Sequence, residues 1–277
     1  MALRLLLVRH GLSSFNIEKR IQGRNDLSSL TQEGKNQALT TGKALSEVTI
    51  DHLYSSPLRR ASETTENIIR SCKQDLKPIY DNELLEVQLG EWSGLTIQEV
   101  KSKFPDDYEV WQNNPSDLEI KLNGEKYKPI QELCSQAKSF LNKLLKKHPP
   151  NSNKTILIIA HNAILRALIL NLIGKDSQGF RRIRLNNASI SIFNLNKSKN
   201  DSIKVQIECL NSTTHLDPPI PKKGNRSRII LVRHGETDWN LQGRFQGQID
   251  IPLNKNGKSQ ALATSNFLDF IKFNKAF

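Results

Sequence analysis

Unbroken apolar runs alternate along this chain with stretches of helical period. LRLLLV (3–8) and KTILIIA (154–160) are apolar runs of strand length, the pattern of strands buried on both faces of a parallel sheet. HLYSS (52–56) reads as a third, short strand that ends in Ser-Pro. From Thr31, a residue type that caps helices, helical spacing runs to about Val48. Pro57 opens a second helix to about Arg70, 128–147 forms an amphipathic third, and Asn162 begins an apolar helix to about Ile173. ELLEVQLGEWSG (83–94) reads as a loop with polar tips, and 104–125 as a short polar segment. ASISIFNL (188–195) and IKVQIECL (203–210) alternate as later strands. Strands alternating with helices predict an α/β fold with a largely parallel sheet.

The opening phrase returns. LLLVRHGLSSFN (5–16) is echoed by IILVRHGETDWN (229–240). With an offset of 224 positions, 4–26 and 228–250 agree at 11 of 23 residues, and GKNQALTT (34–41) matches GKSQALAT (257–264) after a one-residue gap. Between the copies, NSTTHLDPPIPKKGNRSR (211–228) is rich in Pro, Ser and charge and reads as a linker. The expected organisation is a complete domain over 1–210, a linker over 211–227, and over 228–277 the truncated first part of a second domain, with its own strand, loop and helix.

A formal charge of +12 raises the question of a nucleic-acid partner. The lysines are scattered and lack aromatic interleaving or a nucleic-acid motif, so a basic surface that steers small anions is the better reading. No apolar run is long enough to span a membrane, and RHG follows the first run at once, where a signal peptide would place its cleavage region. Cys72, Cys134 and Cys209 are far apart and odd in number, neither a disulfide framework nor a metal motif. A cytoplasmic protein is expected, binding neither nucleic acid nor membrane.

Chemistry enters at the strand ends, where active sites of open α/β sheets lie. His10 ends the first apolar run and His161 the last of them. Arg9 adjoins His10, and Arg60 lies in SSPLRRA (55–61) beyond the short strand. Two arginines and two histidines on one rim suit a phosphoryl dianion, with backbone N–H groups after His161 adding to them.

These blocks carry a resemblance. LVRHG, QG with a later LTQEG, SSPLRRA, LLEVQLGEWSGL and IIAHNAILRAL occur in the order of the phosphoglycerate mutase-like group, branch 1 of the histidine phosphatase superfamily. Within it the chain most resembles two-domain sugar-acid phosphatases of plants and cyanobacteria, which makes an arabinitol phosphate a candidate substrate. The resemblance implies a three-layer α/β/α sandwich and metal-independent phosphomonoester hydrolysis through a phosphohistidine, without a cofactor. It implies His10 as nucleophile, Arg9, Arg60 and His161 as holders of the phosphoryl oxygens, and Glu86 as proton donor. Ser13, Asn16, Gln22, Gly23 and Asn162 are implied to bind substrate. On composition alone Glu83 and Glu91 compete with Glu86, and the motif selects among them. Leu12 departs from the family's usual Glu or Gln, and Asn162-Ala163 from its commoner Gly-Gly.

The segment from Glu86 to His161 spans 75 positions, and its middle is acidic and lacks an arginine pair. That favours a phosphatase over a mutase. The expected partner is a small anionic phosphorylated metabolite. A non-catalytic phosphate-binding or regulatory module is the alternative, mainly for the second copy. That copy carries Arg233, His234 and Asn240 but no counterpart of Arg60, Glu86 or His161, and its apolar residues are expected to dock on the first domain or to self-associate. Deleting 228–277 should therefore leave turnover of a phosphomonoester nearly unchanged and alter solubility or oligomeric state. Loss of turnover in a folded deletion variant would assign the second copy a place in the site.

Overall fold

A computed structural model describes residues 2–200, 202–224 and 227–276. The chain divides into two compact units, one ending at Pro221 and one starting at Lys222. The first unit contains β1 (Leu3–Arg9), α1 (Ser14–Ile17), α2 (Gln32–Ala44), β2 (His52–Ser55), α3 (Arg59–Cys72), β3 (Pro78–Tyr80), α4 (Ile97–Lys103) and α5 (Pro105–Asn113). It continues with β4 (Ile120–Leu122), β5 (Glu125–Tyr127), α6 (Pro129–Lys147), β6 (Thr155–Ala160), α7 (Asn162–Leu172), β7 (Ile190–Lys197) and β8 (Ile203–Ser212).

The main sheet runs in the order β3-β2-β6-β1-β7-β8. The β3-β2, β2-β6 and β6-β1 pairs are parallel, and β7 and β8 add an antiparallel flank. Alternate residues of the central strands feed opposite faces, as strand geometry requires. Leu5, Leu7, Ile156 and Ile158 pack with Phe140 and Leu144 of α6 and with Ile164 and Leu168 of α7. Leu6, Val8, Leu157 and Ile159 pack with Ala38 of α2 and Ile68 of α3. The result is a three-layer α/β/α sandwich. Among the described residues no helix is long and apolar enough to cross a membrane.

Several boundaries differ from the sequence reading. The helix capped by Thr31 stops at Ala44, and Leu45–Val48 close it as turns. The next helix starts at Arg59 rather than Pro57, because Ser56 N–H still bonds Ile159 O at 2.9 Å and keeps the chain extended. The segment 104–125, read as short and polar, holds α5, β4 and the start of β5, and α4 precedes it. Local signals were present: Thr96 and Glu99 make a capping box, and Pro105 sits in the first turn of α5. The first unit also extends past the expected start of the linker. Thr213 is buried, and His215 Nε2 lies 3.1 Å from both Thr41 Oγ1 and Ala188 O.

In the second unit α8 (Asp238–Leu241) and α9 (Lys255–Leu268) form, but 229–233 form no strand. Ile229 and Leu231 are 84% and 90% exposed. An extended run becomes a strand only when neighbours accept its hydrogen bonds, and no other strand occurs among the described residues of this unit.

What both copies keep is a tight backbone contact. A Cβ on Gly34 would lie 2.0 Å from Leu12 O, and one on Gly257 would lie 2.0 Å from Glu236 O. Gly34→Ala should destabilise the first unit by about 1–3 kcal/mol, whereas Lys35→Ala on the exposed side of α2 should change it by less than about 0.5 kcal/mol. Urea denaturation of both variants checks this; equal stabilities would mean that the backbone absorbs the contact.

Candidate active site

The register of β1 and β6 builds the centre of the site. Arg9 pairs with Ala160 across these parallel strands, so the next residues, His10 and His161, emerge side by side. His10 N–H donates to Ala160 O at 2.9 Å, and the two imidazole centroids are 5.2 Å apart. His161 also stands at the N-cap position of α7. β2 lies on the other side of β6 and delivers Ser56, whose Oγ is 2.7 Å from His161 Nε2. Arg60 follows in the first turn of α3.

Hydrogen bonds set the state of His10. Its Nδ1 is 2.8 Å from Gly11 O. A carbonyl only accepts, so Nδ1 carries the proton and Nε2 keeps the lone pair. Burial, then Arg60 and Arg9, push the His10 imidazole well below 6.5. Burial, Arg60, His10 and Arg9 do the same to His161.

The guanidinium groups are held by backbone carbonyls. Arg60 donates to Asn25 O and Gly23 O, both at 2.9 Å, and Arg9 to Leu185 O at 2.7 Å. Gly23 takes φ +48, and a Cβ there would lie 2.7 Å from Ser93 Oγ, so glycine suits this turn on both counts. Burial lowers Arg9 to about 10, opposed by Glu86, with Arg166 and Arg60 lowering it further. Arg60 also falls to about 10 through burial, against Glu86 and Asp26. Both remain cations at neutral pH.

Glu86 is buried at the N-terminus of α7. Its Oε1 accepts from Val87, Ala163 and Ile164 N–H at 3.0–3.1 Å, and its Oε2 from Ala163 N–H at 3.1 Å. The carboxylate thus occupies helix N–H groups that the sequence reading offered to a substrate anion. Gln136 of α6 holds this loop through Glu83 O and Leu85 O at 2.9 Å, and Arg24 donates to Glu86 O at 3.0 Å.

Arg9, His10, Asn16, Gln22, Gly23, Arg60, Glu86 and Asn162 line one cavity of about 290 Å³. Ser13 and His161 do not line it and are fully buried. Ser13 Oγ reaches its wall through Asn16 Oδ1 at 3.0 Å and Gln22 Oε1 at 3.2 Å. Glu83 bonds Ser139 and Lys143 instead, and neither it, Glu91 nor Leu12 lines the cavity. The Nε atoms of Arg9, Arg60 and Arg166, with His161 Nδ1, have no hydrogen-bond partner among the described residues. Buried donors without partners are rare, and these three arginines line one cavity.

Sequence reasoning missed Arg166, Arg181, Tyr108 and Trp111 in that lining. Arg166 had a signal. It is the one charged residue in α7 and stands four positions after Asn162, on the same helix face. Tyr108, Trp111 and Arg181 come from elements that only packing brings over the site.

The histidines imply a pH dependence of stability. Unfolded, each takes up a proton as pH falls through about 6.5; folded, each stays neutral well below it. Under 6.5 the unfolded state binds more protons, so stability falls with falling pH, by about 1.4 kcal/mol per unit for each group. His148, lowered to about 4 by burial, His52 and Lys147, acts in the same direction. Urea unfolding at pH 7.5, 6.5 and 5.5 should show this loss setting in below 6.5, with a smaller slope in His161→Asn. Constant stability down to pH 5.5 would contradict the assigned neutral imidazoles.

Comparison with known proteins gives a consistent result. The family described as histidine phosphatase superfamily (branch 1) matches residues 5–208 and again 229–277. A 2-carboxy-D-arabinitol-1-phosphatase of Triticum aestivum is 34% identical over 279 residues, covering 99% of this chain; the chain spans about half, 54%, of that protein's length. Phosphoserine phosphatase 1 of Hydrogenobacter thermophilus is 32% identical over 206 residues, 74% of this chain and 93% of that one. The crystal structure of an Entamoeba histolytica phosphoserine phosphatase with 3-phosphoglyceric acid aligns with a TM-score of 0.63 at 26% identity, over 77% of this chain and 98% of that one.

Proposed function

We propose, from the premise that the chain belongs to branch 1 of the histidine phosphatase superfamily, that its first unit hydrolyses phosphomonoesters of small metabolites through a phosphohistidine. The observation that carries the reading is His10 itself. It is a buried, neutral imidazole with its Nδ1 proton committed to Gly11 O, beside guanidinium groups with open donors.

His10 Nε2 attacks phosphorus in line with the ester oxygen. The N–P bond forms as the P–O bond breaks, and Glu86 passes a proton to the departing oxygen. Arg9 and Arg60 hold the transferring oxygens in a site that is already organised before charge develops on them. Ser56 Oγ accepts from Leu58 N–H, so its own proton is free for His161 Nε2. That tautomer leaves His161 Nδ1–H to donate toward the phosphoryl group. In the second half a water attacks phosphorus, Glu86 takes its proton, and the N–P bond breaks to release phosphate and neutral His10. Asn16 and Asn162 line the oxygen pocket, and Ser13 holds Asn16 in place.

By this reading the second unit is the start of another domain of the family, with Arg233 and His234 at the matching positions. Three free cysteines support a reducing, cytoplasmic setting.

Turnover with labelled substrate, quenched in alkaline denaturant, should leave base-stable, acid-labile label on His10, absent in His10→Ala. Glu86→Gln should lower the rate on alkyl phosphates by about 10²–10⁴-fold and much less on p-nitrophenyl phosphate, whose leaving group needs little protonation. Undiminished turnover by His10→Ala, or equal losses on both ester types in Glu86→Gln, would overturn this assignment.

A further inference from the structure

The turn 185–188, just before β7, grips the loop of His10 from behind. Leu185 O accepts from Arg9 Nη1 at 2.7 Å, and Ala188 N–H donates to Arg9 O at 3.0 Å and to His10 O at 3.2 Å. Asn187 reaches furthest. Its Nδ2 lies 3.1 Å from each of His10 O, Gly11 O and Asn16 Oδ1. Backbone carbonyls only accept, so the donating end of this amide faces the loop. Asn187 does not line the cavity, and it reaches the site through these three groups.

Two of the three bear on the chemistry. Gly11 O receives the His10 Nδ1 proton, which leaves the lone pair on Nε2. Asn16 Oδ1 also accepts from Ser13 N–H at 3.2 Å and from Ser13 Oγ at 3.0 Å. With that oxygen committed, Asn16 has its donating nitrogen left for an anion in the cavity it lines. Satisfying buried acceptors does not account for Asn187. Without it, His10 O keeps Ala188 N–H, Gly11 O keeps His10 Nδ1, and Asn16 Oδ1 keeps Ser13. The second unit forms its own His–Gly contact and Thr–Asn box from local sequence. Local sequence therefore builds each half of the loop, and Asn187 joins the halves from 171–177 positions away.

The turn that presents Asn187 is itself fixed. Ala188 takes a φ of 54°, in the left-handed region that residues with a side chain rarely enter. Asn186 N–H donates to Asn211 Oδ1 at 2.7 Å, and His215 Nε2 donates to Ala188 O at 3.1 Å. A group that sets the geometry of others needs such support.

Given the phosphatase reading, we propose that Asn187 is a positioning residue for phosphoryl transfer. It locks the Gly11 carbonyl that orients His10 to the Asn16 amide that meets a phosphoryl oxygen, so that nucleophile and oxygen pocket keep one geometry.

Asn187→Leu keeps the branched shape and removes both donors. Each acceptor retains its local partner, so the urea midpoint should stay within about 0.5 M of that of the intact chain. kcat/KM should still fall by at least about tenfold. The loss should be equal on alkyl phosphates and on p-nitrophenyl phosphate, because attack by His10 is common to both; Glu86→Gln separates the two esters. Calorimetry should show inorganic phosphate binding at least about threefold more weakly to the variant. In an Asn16→Ala background the same substitution should change phosphate affinity by less than about twofold. Asn187→Asp keeps the size and puts an accepting oxygen where the donor was, so it should lose at least as much turnover; it decides the matter if the apolar variant does not fold. Unchanged kcat/KM, a loss confined to alkyl phosphates, a larger fall of the urea midpoint, or phosphate binding that weakens equally with and without Asn16 would each overturn the assignment. Failure of the intact chain to hydrolyse any monophosphate, p-nitrophenyl phosphate included, would instead remove the phosphatase reading, and the phosphate affinities would still decide whether Asn187 acts through Asn16.

Discussion

The parallel pairing of β1 with β6 is the constraint on which the site depends. It sets Arg9 opposite Ala160 and so delivers two histidines, 151 positions apart in the chain, to neighbouring positions. The pairing holds because both strands are apolar on both faces and each face has its own helical layer. A shift of one residue would turn every side chain of β1 to the opposite layer and would separate His10 from His161. Core packing and catalytic geometry are therefore one constraint here.

The second theme is charge kept in low-dielectric surroundings. Arg9, Arg60 and Arg166 are each lowered by burial to about 10 and are still cations at neutral pH. Much of their hydrogen bonding goes to backbone carbonyls, which fix position without cancelling charge. That arrangement costs folding free energy, and an anion in the cavity would offset it. Burial, with Arg60 and Arg9, holds the two imidazoles neutral, which a nucleophilic nitrogen requires. Glu86 sits among N–H groups of α7 while its loop is pinned from α6, so its place depends on two helices at once.

The two copies of the RHG phrase separate local from tertiary causes. His234 Nδ1 lies 2.7 Å from Gly235 O, much as His10 Nδ1 lies 2.8 Å from Gly11 O. Thr237 and Asn240 repeat the Ser13–Asn16 box, and Asn254 caps α9 as Thr31 caps α2. These contacts span a few residues or one turn and a helix, so the local sequence suffices to form them. The strand before them forms in the first copy and not in the second, because its hydrogen bonds must come from distant segments.

The division between sequence and tertiary structure follows from this. By itself the sequence determined the apolar strands, the capped helices, the RHG loop and the residue types at the strand ends, since each is written in a local period or a short motif. It also marked Glu86 over Glu83 and Glu91, through a family pattern rather than through chemistry. Only the tertiary structure decided that Ser13 stands behind Asn16 and Gln22, that the helix N–H groups after His161 hold Glu86, and that Arg166 and Arg181 line the same cavity. Those outcomes depend on how α5, α6, α7 and the turn at 177–182 pack against one another. Packing of that kind is long-range, and no period or spacing in the chain encodes it.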